Sequence, residues 1–134
     1  MRTKPSLQHA DVEAMVAAAR AEAIRNDWKV SIAVVDEGGH LWRLERMDGP
    51  PVLSAEVAIA KARTSGLMRQ PSKLFEDRLK ERPAFLRFPE ILPLQGGLPI
   101  LVDGECVGGL GVSGVQSHED EQIARAGLAA LPSG

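Results

Sequence analysis

The sequence predicts an α+β domain in which a central antiparallel sheet of four to five strands is flanked by helices, in the order α-β-β-α-α-β-β-α. The strand-like runs come in two pairs, one joined by Asp36-Glu-Gly-Gly and the other by Asp103-Gly104. Such turn residues close hairpins, and hairpins mean antiparallel pairing. Helical periodicity brackets each pair. A length of 134 residues fits one domain spanning 1–134 and leaves no room for a second of ordinary size.

The elements follow in chain order. Between Ser6 and Asn26, Val12, Met15, Val16, Ala19 and Ala23 form one stripe of an amphipathic helix, with Ser6 as its expected N-cap. Val30 to Val35 is β-branched and strand-length, and His40 to Arg46 is the returning strand. Asp48-Gly-Pro-Pro breaks the pattern before a second helix that runs from Ser54 to about Met68. Ala55, Ala58, Ala60, Ala62, Ser65 and Gly66 make this helix unusually slim, so its backbone can lie close to a sheet or a partner. Pro71-Ser72 opens a short charged helix to about Arg82, and Pro83, Pro89, Pro93 and Pro99 then punctuate an irregular excursion. Pro99 to Val102 and Glu105 to Ser113 are the second strand pair. A last helix runs from Ser117 to about Leu131, with Ser117 and Asp120 spaced as a capping-box variant.

The composition excludes several functions. Sixteen Lys plus Arg against 18 Asp plus Glu give a net charge of -2, which offers nucleic acid or an anionic membrane no electrostatic attraction. No run approaches the roughly 18 apolar residues of a membrane span, and no secretory leader is visible, so a cytoplasmic protein is expected. The single cysteine, Cys106, reads as a small buried thiol. With two Trp, three Phe and no Tyr, the core must be built from small side chains, and a subunit interface would add burial. Gly109-Leu-Gly111-Val-Ser-Gly114 matches the dinucleotide fingerprint letter for letter, but it follows a hairpin strand and precedes the acidic Glu119-Asp120-Glu121, so NAD is not expected. His9, His40 and His118 are too widely spaced for a metal motif.

The basic residues are the better candidates. Lys61, Ser65 and Arg69 share one face of the second helix, and Arg43 and Arg46 end the second strand, so Arg46 and Lys61 are expected to clamp a carboxylate. The glycines Gly96, Gly97 and Gly111, with Ser113, are expected to leave a hollow at the sheet rim where a ligand meets bare backbone. Were the protein a catabolic enzyme, an isomerase, hydrolase or deaminase of an organic acid, His40, Asp36 or Glu56 would move its protons.

Val34-Val-Asp-Glu-Gly-Gly-His-Leu, Arg46-Met-Asp-Gly, Ala58-Ile-Ala-Lys-Ala-Arg-Thr, Gln95-Gly-Gly-Leu-Pro-Ile and Val107-Gly-Gly-Leu-Gly-Val-Ser-Gly, followed by Glu119-Asp-Glu-Gln-Ile-Ala, resemble the GlcG/HbpS-like family in order and spacing. It is also called the haem-degrading-domain family. The resemblance runs from about Leu7 to Leu128. It implies a profilin-like fold and homo-oligomers, commonly dimers that assemble further. It also implies a haem, tetrapyrrole or other small-molecule ligand, with degradation of haem in some members. Other members accompany catabolic enzymes in operons. If haem binds, His9, His40, Met47 and Met68 are the available axial donors, and Arg46 or Lys61 the partners of a propionate. A non-catalytic oligomeric scaffold is the third expectation.

Overall fold

The computed structural model describes residues 1–131. The elements are α1 (His9–Arg25), β1 (Ser31–Asp36), β2 (Leu41–Arg46), α2 (Ser54–Met68), α3 (Lys73–Arg78), a 3-10 turn (Pro83–Arg87), β3 (Gly97–Val102), β4 (Glu105–Ser113) and α4 (Ser117–Leu128). The expected order therefore holds, with four strands. They form one sheet in the order β2-β1-β4-β3, every neighbouring pair antiparallel. Among the described residues no helix is long and apolar enough to cross a membrane.

Strand alternation gives the sheet two unlike faces. Val30, Ile32, Val34, Leu98, Ile100, Leu110 and Val112 form one core with Val12, Met15, Val16, Ala19 and Ala23 of α1 and Ile123 and Ala124 of α4. The other face is covered by α2 alone, through a small cluster of Ala33, Val35, Ala58 and Ala62. Here β4 is stripped of side chains. A methyl group at Gly109 would stand 2.0 Å from Ala62 O, one at Gly111 2.2 Å from Ala58 O, and one at Gly97 2.3 Å from Lys61 O. The helix therefore rests directly on the strand backbone, which its own alanines permit. This corrects the expected hollow: the space left by Gly97 and Gly111 is filled by α2.

Several element ends differ from expectation, each for a local reason. Helix α1 begins at His9 because the Gln8 N–H donates to the Asp11 carboxylate at 2.8 Å, which moves the cap beyond Ser6. At α4 the cap is Gln116, whose N–H donates to Glu119 at 3.1 Å, so Asp120 is free for a different role. Strand β3 starts at Gly97, paired with Gly111, two residues before Pro99. The proline-rich excursion is ordered by packing: Phe75, Phe85 and Phe88 stack edge to face, and the Leu92 N–H donates to Thr64 Oγ1 at 2.8 Å.

Strand β2 is tied to α1 by charges. Arg20 and Arg43 both reach Glu45, and Glu13 reaches Arg43. The Arg20 hydrogen bond holds the Glu45 carboxyl below its ordinary value of 4.5. A carboxyl lowered by folding stabilises the native state fully above its ordinary value, and the benefit fades as pH falls through the lowered one. The stability difference between wild type and Glu45→Gln should thus be about 1 kcal/mol near neutrality and shrink below pH 4.5, measured by urea unfolding across pH. At the helix–sheet contact, Gly111→Ala should cost about 3 kcal/mol in the same measurement, because Ala58 O leaves no room for a methyl group. At Gly104, where open space surrounds the missing methyl, alanine should cost about 1 kcal/mol from its positive φ of 77°.

Candidate functional site

Lys61 points inward. It is 1% exposed, and its ammonium donates to Val112 O at 2.9 Å and to the Asp120 carboxylate at 3.1 Å. Asp120 is 2% exposed and also accepts the Val115 N–H at 3.1 Å. Burial pushes the Asp120 carboxyl above its ordinary value, against the opposing pull of Lys61. This pair joins the middle of α2, the end of β4 and the first turn of α4. Gly96 is packed against it, since a methyl there would stand 2.6 Å from Lys61 Nζ. Ser65 is fully buried beside Gly97, and its hydroxyl has no hydrogen-bond partner among the described residues.

The expected clamp is therefore not assembled. Arg46 is exposed at the end of edge strand β2, while Lys61 is committed to Asp120 in the interior. The helical spacing of Lys61, Ser65 and Arg69 suggests a solvent face, whereas the slim helix turns Lys61 and Ser65 onto the sheet. Ser113 is half-buried at the end of β4, opposite Ser31. Asp36 Oδ1 accepts the N–H groups of Gly38 and His40, both at 2.9 Å, and so shapes the β1–β2 turn. His40 is exposed on that turn, and Glu56 is exposed in the first turn of α2. Because Ser54 touches Ser31 while Gly66 packs on Val35 and Gly109, Glu56 lies at the opposite end of α2 from Asp36 and His40.

A concave feature lies where α2 stops. A cleft of about 230 Å³ is lined by Lys4, Glu37, Gly66, Leu67, Arg69 and Cys106. Arg69 takes the left-handed conformation at the C-cap of α2, with φ of 58°, which swings the chain away and leaves its exposed guanidinium at the rim. Lys4 pairs with Glu37 there. Cys106 is 8% exposed, its sulfur 3.5 Å from Gly66 O and 3.4 Å from Gly108 O. Leu67 also packs over Gly39 of the β1–β2 turn, so His40 neighbours the cleft through that turn. Of the other donors, Met68 ends α2 half-buried, Met47 packs against the main core, and His9 is exposed at the start of α1. Among the described residues no three His, Cys, Asp or Glu side chains gather as a metal site.

Sequence patterns alone do not single out Asp120 or Cys106. Asp120 has the spacing of a capping residue, and Cys106 sits in a strand with no partner motif. Only the tertiary contact of α2 with β4 assigns the one to Lys61 and the other to a cleft.

A four-stranded antiparallel sheet with two helices on one face, one slim helix on the other and a thiol-bearing cleft at its end defines an α+β domain of the three-layer kind. Comparison with known proteins places it more closely. A family model described as "Haem degrading protein HbpS-like" matches residues 7–129. Protein GlcG of Escherichia coli strain K12 is 43% identical over 114 residues, covering 84% of this chain and 85% of that protein. The crystal structure of a double mutant of HbpS from Streptomyces reticuli superposes with a TM-score of 0.92 at 33% identity, covering 98% of this chain and 91% of that one. A crystal structure of a PduOC:heme complex superposes with a TM-score of 0.89 at 26% identity, covering 97% and 98% of the two chains. The chain belongs to the HbpS-like family.

The buried pair has a direct test. Asp120→Asn leaves the Lys61 ammonium without its counter-charge and should cost about 3 to 5 kcal/mol in urea unfolding. Adding Lys61→Met to that variant should restore most of the loss, since the introduced amide oxygen still accepts the Val115 N–H. A double variant as unstable as the single one would show that the ammonium is not the source.

Proposed function

We propose that the protein binds haem or a related tetrapyrrole at the end of the sheet where α2 stops. The donor set of the cleft carries this reading: the Cys106 sulfur, the Arg69 guanidinium, the Lys4 ammonium and the Leu67 side chain converge on one concavity. Haem requires an axial donor, cations for its propionates and apolar contact for its ring. The cleft offers the donor in Cys106, a cation in Arg69 and apolar contact in Leu67. Sites that enclose a small ligand span roughly 300–1,000 Å³, and this cleft of about 230 Å³ is smaller, so a bound ring would extend beyond it. The haem complex of PduOC and the family description support the same ligand class.

When bound, the group supplies its own iron chemistry. This chain's residues hold and orient it. Cys106 would offer sulfur from a strand fixed by the sheet, Arg69 would neutralise a carboxylate at the rim, and Lys4 would do so only by leaving its pair with Glu37. Degradation of the bound ring is the finer form of this reading. The alternative of an organic-acid enzyme has less support, because Arg46 and Lys61 lie in different environments and Glu56 is remote from Asp36 and His40.

Hemin titration followed at the Soret band tests the proposal. Wild type should saturate at one hemin per chain. Cys106→Ser should shift the band and weaken binding about tenfold or more, and Arg69→Ala should cost about 1 kcal/mol, as expected for an exposed charge. Wild-type spectra unchanged by hemin, or identical binding by both variants, would refute the proposal.

A further inference from the structure

The segment that precedes α1 runs across the end of the sheet and is held there by charge. Leu7 is 5% exposed and joins the main core, and a methyl group at Gly108 of β4 would stand 3.0 Å from its Cδ1. Before it, Pro5 is half-buried and the rest of residues 1–6 are exposed. Lys4 lines the cleft and pairs with Glu37 of the β1–β2 turn. Arg2 reaches both oxygens of Glu105, the second at 3.0 Å, and Glu105 is the chain neighbour of Cys106. Arg2 thereby holds the Glu105 carboxyl below its ordinary value, and the nearby Lys4 and Arg69 add to that pull. The segment thus bridges the β1–β2 turn and the start of β4, with the cleft between them.

Its two halves are fastened very differently. Burial of Leu7, together with the Gln8 N–H donated to Asp11, fixes the point where the segment enters α1. Among the described residues no hydrogen bond ties the backbone of residues 1–6 to the sheet. What holds them is a pair of exposed ionic contacts, each able to bias an equilibrium by roughly twofold to fivefold. Such contacts weaken as salt screens them. Residues 1–6 can therefore lift while Leu7 stays in the core. Lifted, they take away the Lys4 wall of a cleft whose volume of about 230 Å³ falls short of the roughly 300–1,000 Å³ that ligand sites span. The other lining groups, from the β1–β2 turn, the end of α2 and β4, stay in place.

We propose that residues 1–6 are a strap, hinged at Leu7 and latched by Arg2 on Glu105 and Lys4 on Glu37, whose lifting opens the cleft and uncovers Cys106. That the opening admits a ligand rests on reading the cleft as a ligand site; the opening itself does not. Local motion of this kind draws on the least stable part of a fold and needs no global unfolding.

Cys106 is the single cysteine of the chain, so thiol labelling reports on the cleft alone. A neutral maleimide at fixed pH should label native wild type slowly in low salt and about fivefold faster in 0.5 M salt. Arg2→Ala should raise the low-salt rate about threefold. Lys4→Glu, which sets two carboxylates against each other at the latch, should raise it about tenfold. A new carboxylate beside a thiol by itself disfavours the thiolate and slows labelling, so the rise separates an opened strap from a change in the sulfur. Adding Glu37→Lys exchanges the two charges and should return the rate to near that of wild type. Urea below the unfolding transition should leave all these rates nearly unchanged, because lifting the strap exposes little surface. Wild-type labelling indifferent to salt, Lys4→Glu no faster than wild type, the exchanged pair as fast as Lys4→Glu, or labelling that follows global unfolding in urea would each overturn the proposal. No hemin is present in these measurements, so failure of the strap and failure of the haem reading are seen separately.

Discussion

The backbone contact between α2 and β4 governs how every other part of the molecule is placed. A helix packed on a sheet ordinarily stands off by the length of two layers of side chains. Here Ala58 and Ala62 meet Gly109 and Gly111, and the helix carbonyls fill the places where strand side chains would be. The layer holds little apolar volume: Ala33, Val35, Ala58 and Ala62, with a half-buried Ile59 packed against them. Tight packing substitutes for size, as in any interior whose attraction grows with the number of atoms in contact.

This contact bears on function in two ways. With the middle of that face sealed, a cleft forms at the end of the sheet, where α2 breaks off at Arg69 and Cys106 reaches its surface. The closeness of the helix also draws Lys61 inside, where Asp120 and Val112 O compensate its charge. That polar tie fixes α4 against α2 past the end of β4. An apolar pair would hold equally well, so the tie sets geometry more than it adds stability.

Much of the fold is legible in the sequence because its signals are local. Asp36-Glu-Gly-Gly and Asp103-Gly104 announce hairpins, and the Val12 to Ala23 stripe announces α1, each without help from distant residues. The alanines of α2 and the glycines of β4 are both visible, and close helix approach is expected of the former. Their mutual contact is not, since each strip taken alone suggests something different, a slim helix in one case and a hollow in the other. The candidate site is less legible for the same reason. Lys61 and Asp120 are 59 residues apart, and neither looks buried by composition alone. Helical spacing places Lys61 and Arg69 together, yet the C-cap turn of Arg69 sends the two side chains to different environments.

If the sealed face directs ligand to the sheet end, paramagnetic broadening of backbone amide signals by bound ferric hemin should locate it. Amides of residues 37–40, 66–69 and 105–107 should disappear from the spectrum while those of 58–61, 96–97 and 111–112 stay sharp. Broadening centred on Gly97 and Gly111 with the α2 C-terminus unaffected would contradict a site at the sheet end.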